Sequence, residues 1–331
     1  MDIDIDLIFG NGIRAAIGPE AAIYALLAIG LNLHWGYTGL LNLGQVGFML
    51  VGAYGLAITV ATWGWSMWLG IPIGLLAAAA LALVLGIPTL RLRADYFAIT
   101  TIAVAEILRL VVRSRPAQGL TGGAFGLQGI ADPFYDINPI PRGSYGFGVV
   151  KFSENRLWVM LVTWALVLLC TGLLMLLTSS PWGRVLRAIR EDEDAARSLG
   201  KNVVAFKMQS LIIGGMIGGL AGVMFAIRAS SANAESYRST VTFFAYTILI
   251  LGGAATRLGP IVGAWIFWFV IASVESFLRE ADSAGWAPGF LQGPEAVGAV
   301  TFILVGLALA LLIVYRPQGI FGNRNELRLE T

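Results

Sequence analysis

Two long stretches of the chain, residues 68–87 and 157–177, contain no charged side chain. A helix needs about 20 mostly apolar residues to cross a hydrocarbon layer about 30 Å thick. Both stretches have that length, and a helix satisfies its backbone hydrogen bonds within one segment, as a lipid environment requires. These stretches therefore predict two transmembrane helices.

The composition extends this prediction to the whole chain of 331 residues. Apolar residues make up 57% and charged residues 13%, whereas soluble domains have roughly 45–50% and about 25%. A soluble globule of this size could not cover so much apolar surface. We expect an all-α polytopic membrane protein with discontinuous helices, in which residues 1–331 form a single transmembrane domain. The candidate spans are residues 19–33, 40–62, 68–87, 96–112, 157–177, 206–226, 241–251, 261–278 and 296–314.

The scarcity of reactive side chains limits the chemistry that the chain can perform. Cys170 is the only cysteine and His34 the only histidine, which excludes an internal disulfide, a thiolate metal cage and a multi-histidine metal site. We expect His34 to be a hydrogen-bonded turn residue. There is no Gly-x-Ser-x-Gly turn, and a net charge of +2 does not indicate nucleic acid. The chain is predicted to be no enzyme and to bind no metal or cofactor of its own.

Glycine is concentrated in residues 33–55 and again in residues 251–263. Such interruptions are typical of broken helices beside a transport pathway, which inverted repeats place at corresponding positions. Small residues also let helices pack closely, and the sequence leaves both interpretations open. The candidate pathway residues in these two regions are Asn42, Gly44, Gln45, Gly47, Gly252 and Gly253.

Glu106 and Arg109 lie three residues apart in the fourth candidate span and can pair on one helix face. An ionisable residue inside a span is a functional candidate by default. The interpretation favoured by the sequence is a structural ion pair that holds this span to a neighbour.

Residues 184–207 contain ten of the chain's charged residues. The helical spacing of Val185, Leu186 and Ile189, with a stop at Gly200, predicts a short amphipathic helix within residues 180–201. A helix lying on lipid would lack the acidic cluster, so the mixed charge favours a protein partner over a solvated connector. The candidate docking residues are Arg184, Arg187, Arg190, Glu191, Asp192, Asp194, Ala195, Ala196 and Gly200.

The order Asp194-Ala195-Ala196, followed by Gly200, resembles the cytoplasmic EAA loop of ATP-binding-cassette importer permeases, with Asp in place of Glu. In that family the loop forms a coupling helix that docks into the ATP-binding subunit. The later Ile and Pro of the family pattern are absent from this chain.

Five further motifs, in family order, resemble the branched-chain amino-acid permeases of the LivH/LivM type, and the LivM-like member in particular. They are the Asn-Leu-Gly-Gln signature at residues 42–45, the stretch 90–101 followed by residues 106–109, the outer-loop motif Thr121-Gly122-Gly123, the Gly-Pro turn within residues 252–263 and the tail 316–322. Ala94 stands where the family usually has Gly. The resemblance covers residues 39–322.

This resemblance implies a transport subunit, with ATP and Mg²⁺ used by partner subunits. The expected partners are a second permease subunit in a pseudo-symmetric heterodimer, two cytoplasmic ATP-binding subunits, and an extracytoplasmic substrate-binding protein. The ATP-binding subunits would dock on residues 180–201 and on the counterpart of this segment in the second permease subunit. Thr121, Gly122 and Gly123 would contribute to the pathway from the extracytoplasmic loop region 114–156. Branched-chain amino acids are the family's default substrates, and urea or short amides are the alternative. A stand-alone secondary transporter, ion-coupled through Glu106, also stays open.

The distribution of Lys and Arg predicts the orientation in a prokaryotic cytoplasmic (inner) membrane. Residues 180–206 and the tail 315–331 would be cytoplasmic, and nine crossings would place the N-terminus outside. Asp2, Asp4 and Asp6 stand where a cleavable signal would carry basic residues. If residues 241–251 did not cross, the N-terminus would lie on the other side.

Overall fold

The computed structural model describes residues 4–90 and 94–283, together with residues 293, 296–301, 303–304, 306–307 and 319–321. Helices dominate the described chain, and two antiparallel strand pairs lie in the connections, residues 127–128 with 231–232 and residues 144–147 with 150–153. In chain order the elements are α1 (Ile5–Ile17), α2 (Pro19–Leu31), a π-helical turn (Asn32–Tyr37), α3 (Gln45–Ala57) with a π-helical end (Ile58–Thr62), α4 (Met67–Thr89), α5 (Ala94–Arg113), α6 (Gln118–Thr121), β1 (Leu127–Gln128), α7 (Asp132–Asp136), β2 (Ser144–Phe147), β3 (Val150–Ser153), α8 (Glu154–Ser179), α9 (Pro181–Glu191), α10 (Glu193–Ser198), α11 (Val203–Ala229), β4 (Ser231–Ala232), a 3₁₀ turn (Ala234–Tyr237), α12 (Thr240–Gly252) and α13 (Gly259–Ser283).

Five of these helices are long and apolar enough to cross a membrane, namely α3 with its π-helical end, α4, α8, α11 and α13. A sixth span arises if α1 is joined to α2 with its π-helical turn, across a bend of 44°. The predicted all-α polytopic membrane fold is therefore confirmed.

The predicted count of nine crossings is not established by the described residues. Eight of the nine segments coincide with helices, and the ninth, residues 296–314, is described at residues 296–301, 303–304 and 306–307, which are helical. Helix α5 carries three charged residues between Glu106 and Arg113, and α12 has only 13 residues, whereas a regular crossing takes about 20.

Helices α2, α3 and α11 form the centre of the bundle, and α4, α8 and α13 surround them. All of α2 from Ala21 to Leu31 is buried, which explains why it is apolar on every side instead of amphipathic. Helices α3 and α11 approach at backbone contact, since a Cβ on Gly52 would lie 2.2 Å from the Gly219 carbonyl oxygen. Several glycines of residues 33–55 thus serve close packing, one of the two interpretations left open above.

The predicted break between α2 and α3 is also present, while its place beside a transport pathway stays a prediction. The π-helical turn ends at Tyr37, and α3 begins only at Gln45.

The segment 180–201 differs from the single predicted helix. It contains α9 and α10, separated at Asp192, whose side chain caps α10 by accepting the Asp194 and Ala195 N–H groups, both at 2.9 Å. The chain turns again at Gly200, with φ of +76°, as expected.

Candidate functional site

A buried polar cluster fills the break between α2 and α3. We call it the break cluster and define it by Asn32, His34, Thr38, Asn42, Gln45 and Ser210. The side chains of Asn32, His34, Asn42 and Gln45 are fully buried. Buried amides and imidazoles require hydrogen-bond partners, and each of these side chains has at least one.

His34 links the break to α11. Its Nε2 lies 3.2 Å from the Leu211 carbonyl oxygen, and its Nδ1 lies 3.1 Å from the Asn42 amide nitrogen. These contacts match a neutral imidazole that donates from Nε2 and accepts at Nδ1. The expectation that His34 is a hydrogen-bonded turn residue is confirmed.

Hydrogen bonds of Asn42 and Gln45 hold the segment that joins the π-helical turn to α3. Asn42 donates to Gln45 Oε1 at 2.9 Å and accepts the Gly44 N–H at 3.0 Å, and Gln45 donates to the Gly214 carbonyl of α11 at 3.2 Å. Gly44 packs against α5, because a Cβ there would lie 2.1 Å from the Thr101 carbonyl oxygen. In this conformation the amides hold backbone in place inside the chain.

The second glycine-rich segment lies beside the first. Asn32 accepts the Ala255 N–H and donates to the Thr256 carbonyl, both at 2.9 Å. A Cβ on Gly252 would lie only 1.8 Å from the Gly259 carbonyl oxygen, and Gly253 has a φ of +106°. The structure therefore brings the two predicted glycine breaks into direct contact.

Described residues of the C-terminal tail also lie at the end of α12. Ile320 and Phe321 donate their N–H groups to the carbonyls of Leu251 and Gly252, at 3.0 and 3.2 Å. The last carbonyls of a helix have no partner inside the helix. Ile320 and Phe321 thus supply N–H donors to the second glycine-rich segment, which Asn32 also contacts.

Two cationic side chains connect α9 and α10 to the rest of the bundle. One contact is with the π-helical turn and the other is with α11. Arg190 donates from Nη1 to the Gly36 carbonyl at 2.6 Å, and Lys207 of α11 pairs with Glu193 at 2.5 Å. Both cations line a cleft of about 230 Å³ that also includes Thr38, Gly39 and Phe97. Arg190, which was predicted to contact a partner protein, therefore contacts the broken helix of its own chain.

The remaining predicted docking residues divide by exposure. Ala196 is buried in a small core with Ile189 and Val203. The exposed ones are Arg184, Arg187, Glu191, Asp192, Asp194, Ala195 and Gly200. Leu199 is 79% exposed beside them, and it was not among the predicted residues.

An ionic network lies near the C-terminal end of α5. Arg109 donates to Glu106 at 2.6 Å and to Glu235 of the 3₁₀ turn at 3.1 Å, and Arg113 pairs with Glu235 at 2.8 Å. Arg238 also pairs with Glu235. Hydrogen bonds from Arg238 are the main cause that lowers the pKa of Glu235 below its ordinary value, so Glu235 is ionised at neutral pH. The Glu106–Arg109 pair thus holds α5 to the segment between α11 and α12.

Thr121, Gly122 and Gly123 form a tight turn in the loop region 114–156. Thr121 donates to the Val112 carbonyl at 2.6 Å, and a Cβ on Gly122 would lie 2.0 Å from the Gly126 carbonyl oxygen. The adjoining strand β1 pairs with β4, which immediately follows α11. The structure does not bring this motif together with the break cluster.

Comparisons with known proteins decide the family. The family described as "Branched-chain amino acid transport system / permease component" matches residues 17–309. The chain belongs to this permease family. It is 31% identical over 326 residues to LivM, the high-affinity branched-chain amino acid transport system permease protein of Salmonella typhimurium, covering 95% of this chain and 72% of that protein. A probable LivM of Methanocaldococcus jannaschii is 27% identical over 336 residues and 91% of each chain.

The family assignment confirms the predicted LivM-like transport permease. Among solved structures, the chain is similar to PsaBC from Streptococcus pneumoniae in complex with Fab, with a TM-score of 0.44, 14% identity, and coverage of 96% of this chain and 95% of that chain. Within this permease, sequence reasoning missed Glu235, Lys207, Ser210 and Thr242. Ser210 Oγ lies 2.6 Å from Thr38 Oγ1, and Thr242 Oγ1 accepts the Val46 N–H at 2.9 Å. Each of the four is a polar residue in or beside an apolar segment, but its partner lies far away in the sequence and no local pattern indicates it.

Replacing Asn42 with leucine is expected to destabilise the permease by a few kcal/mol. The change leaves His34 Nδ1, Gln45 Oε1 and the Gly44 N–H without their partner, and each unsatisfied buried group costs about 1–3 kcal/mol. Thermal unfolding of the purified protein in detergent measures the loss. Asn155→Leu is the control, because Asn155 is an exposed amide that accepts one hydrogen bond from Asn138. Equal unfolding midpoints for both variants would contradict the structural role of Asn42.

Proposed function

We propose that this chain is one membrane-spanning subunit of an ATP-driven importer for branched-chain or similar small amino acids. A second permease subunit forms the other half of the pathway. Two cytoplasmic ATP-binding subunits supply the energy by binding ATP and Mg²⁺, and an extracytoplasmic binding protein delivers the substrate. The family assignment supports the transport role, and the names of the LivM relatives support the substrate class.

The contact between Arg190 and the Gly36 carbonyl is the observation that carries this proposal. Helices α9 and α10 present an exposed, mixed-charge surface for the ATP-binding subunit. Their inner side holds the π-helical turn after α2 through Arg190, and it holds α11 through Glu193 and Lys207. A displacement of α9 by the ATP-binding subunit would therefore move the broken helix directly, because a packed interior transmits displacement.

The glycine and amide residues contribute to the pathway by fixing its backbone. Asn42, Gln45, Gly44 and Gly47 hold the start of α3, while Gly252 and Gly253 hold the end of α12. Thr121, Gly122 and Gly123 shape the extracytoplasmic loop region 114–156, which would receive the binding protein. Few charged side chains in such a wall suit transport, since a substrate that is bound tightly would not leave.

The proposed orientation follows from the docking surface. The segment 180–206 and the tail 315–331 face the cytoplasm of a prokaryote, and the N-terminus lies outside. The contact of Ile320 and Phe321 with the end of α12, beside the segment that Arg190 reaches through Gly36, supports placing the tail on the same side as α9.

Reconstitution of the complete complex in liposomes tests the function. Uptake of labelled leucine is expected to require the binding protein outside and ATP on the side of the ATP-binding subunits. Competition with unlabelled isoleucine, valine, urea and acetamide assigns the substrate class. Uptake by this chain alone, driven by an ion gradient and abolished by Glu106→Gln, would instead identify a secondary transporter.

A further inference from the structure

An apolar groove lies between α1 and the hairpin formed by β2 and β3. Its volume is about 420 Å³, whereas one molecule of liquid water takes up roughly 30 Å³. The side chains that line it are aliphatic or aromatic, namely Ile17, Tyr145, Phe147, Val150, Phe152 and Leu157. We call this space the hairpin groove. Since apolar cavities hold apolar molecules better than water, its lining suits an apolar ligand.

The hairpin groove continues an apolar stripe on α1. Ile5, Phe9, Ile13 and Ile17 recur every four residues and all are exposed, so they lie along one side of the helix. Ile17, the last of them, is also a wall of the groove. Helix α1 forms a candidate membrane span together with α2, and a continuous exposed apolar stripe on such a helix marks contact with lipid.

The groove lies where a spanning helix changes from charged to apolar residues. Leu157 is the first residue of the uncharged stretch 157–177 of α8, and Arg156 directly precedes it. Such a change marks the boundary between the headgroup layer and the hydrocarbon layer of a bilayer. At the tip of the hairpin Phe147 is 92% exposed, so its own chain leaves this wall of the groove uncovered.

Arg14 supplies a positive charge beside the groove. Its guanidinium lies over the ring of Phe152, 5.7 Å from the ring centre, and Phe152 is also a wall of the groove. The buried Nε of Arg14 has no hydrogen-bond partner among the described residues. The Glu20 carboxylate on the next helix is already paired with Arg156 and Arg228. Because a buried donor without an acceptor is costly, we expect the partner of Arg14 to come from outside this chain.

A phospholipid has both parts that this arrangement lacks, a phosphate and an apolar chain. Arginine binds phosphate oxygens through paired N–H donors. We infer that the hairpin groove binds a membrane phospholipid, with one acyl chain along Ile17 and Leu157 and the phosphate at Arg14. The lipid then holds α1 to the hairpin, since both elements contribute walls to the groove.

Site-specific photo-cross-linking in the purified complex tests this inference. Benzoylphenylalanine replaces Phe147, the complex is transferred to phospholipid-free detergent, and phosphatidylglycerol is titrated in. The mass of the chain is expected to show a saturable lipid adduct. Benzoylphenylalanine in place of Phe125 is the control, because Phe125 is 80% exposed in the same loop region but does not line the groove. The readout is independent of transport activity.

The Arg14→Gln variant is expected to raise the half-saturating lipid concentration at least about tenfold, because a lost hydrogen bond to a charged group weakens binding by that order. Arg14→Lys should lose less, since lysine also binds phosphate. Arg142→Gln is the matched control, because Arg142 is an exposed arginine that precedes β2, and its titration should be unchanged. Val150→Trp fills the groove without altering Arg14 and should also weaken binding.

Equal half-saturating concentrations for Arg14→Gln and Arg142→Gln would overturn the inference, as would cross-linking of position 147 to a protein subunit instead of lipid. If Arg14→Gln does not give a monodisperse complex, Val150→Trp decides the question. A titration of that variant that matches the unmodified groove would then exclude an acyl chain from this space.

Discussion

Replacing Arg190 with alanine is expected to reduce ATP-driven uptake at least about tenfold while the complex still assembles. The variant removes the hydrogen bond from α9 to the Gly36 carbonyl. A hydrogen bond to a charged group contributes about 1.5–3 kcal/mol, and about 1.4 kcal/mol corresponds to a factor of ten. The other exposed docking residues of α9, Arg184, Arg187 and Glu191, are unchanged, so the ATP-binding subunits should still bind.

Two measurements separate coupling from assembly. Uptake by reconstituted complexes should fall, whereas the ATPase activity of the same complexes should persist, since ATP hydrolysis is no longer transmitted to the broken helix. Arg187→Ala is the matched control, because Arg187 lies on the same helix, is exposed, and should affect docking instead of transmission. Uptake by Arg190→Ala within twofold of the unmodified complex would refute the role of this contact.

Replacing Gly252 with alanine is expected to destabilise the permease by about 3 kcal/mol, at the upper end of the usual cost of overpacking. The new Cβ would lie 1.8 Å from the Gly259 carbonyl oxygen and 2.5 Å from its carbon. The obstacle is backbone, so no side-chain rotation can relieve it. The change should separate α12 from α13 and loosen the segment that Asn32 and the tail hold.

The apparent unfolding temperature in detergent and the yield of monodisperse protein measure this effect. Gly172→Ala is the control, since Gly172 is also a glycine within a helix, α8, and has open space where its Cβ would lie. That variant should be neutral or slightly stabilising, because alanine has the higher helix propensity. If both variants unfolded at the same temperature, close packing would not be the reason for Gly252.

The location of the helices and of the docking segment follows from local sequence. Apolar length predicts α3, α4, α8, α11 and α13, and the charge pattern of residues 184–207 predicts a surface helix between two spans. Gly200 ends that segment as expected. These features depend on neighbours within a few turns of helix, so they are visible in sequence alone. The break at Asp192 was missed because Asp192 can be read equally well as part of an acidic helix surface or as a helix cap.

The roles of individual polar residues depended on partners far away in the chain. Arg190 is an arginine on a charged helix in the sequence, yet it contacts a carbonyl 154 positions earlier. Asn42 and Gln45 could have faced a pathway, but α11 supplies the Gly214 carbonyl and packs over them. Glu106 is linked to Glu235 through Arg109, which lies 126 positions before Glu235.

By itself the sequence determined the membrane environment, the helical class, the family and the charged segment that lies between two spans. Only the tertiary structure decided that the two glycine breaks touch, that Arg190 is tied to one of them, and that Arg109 links Glu106 to Glu235. The physical reason is that hydrophobicity and helix propensity act along the chain, whereas a buried hydrogen bond or a glycine contact depends on which helices pack together.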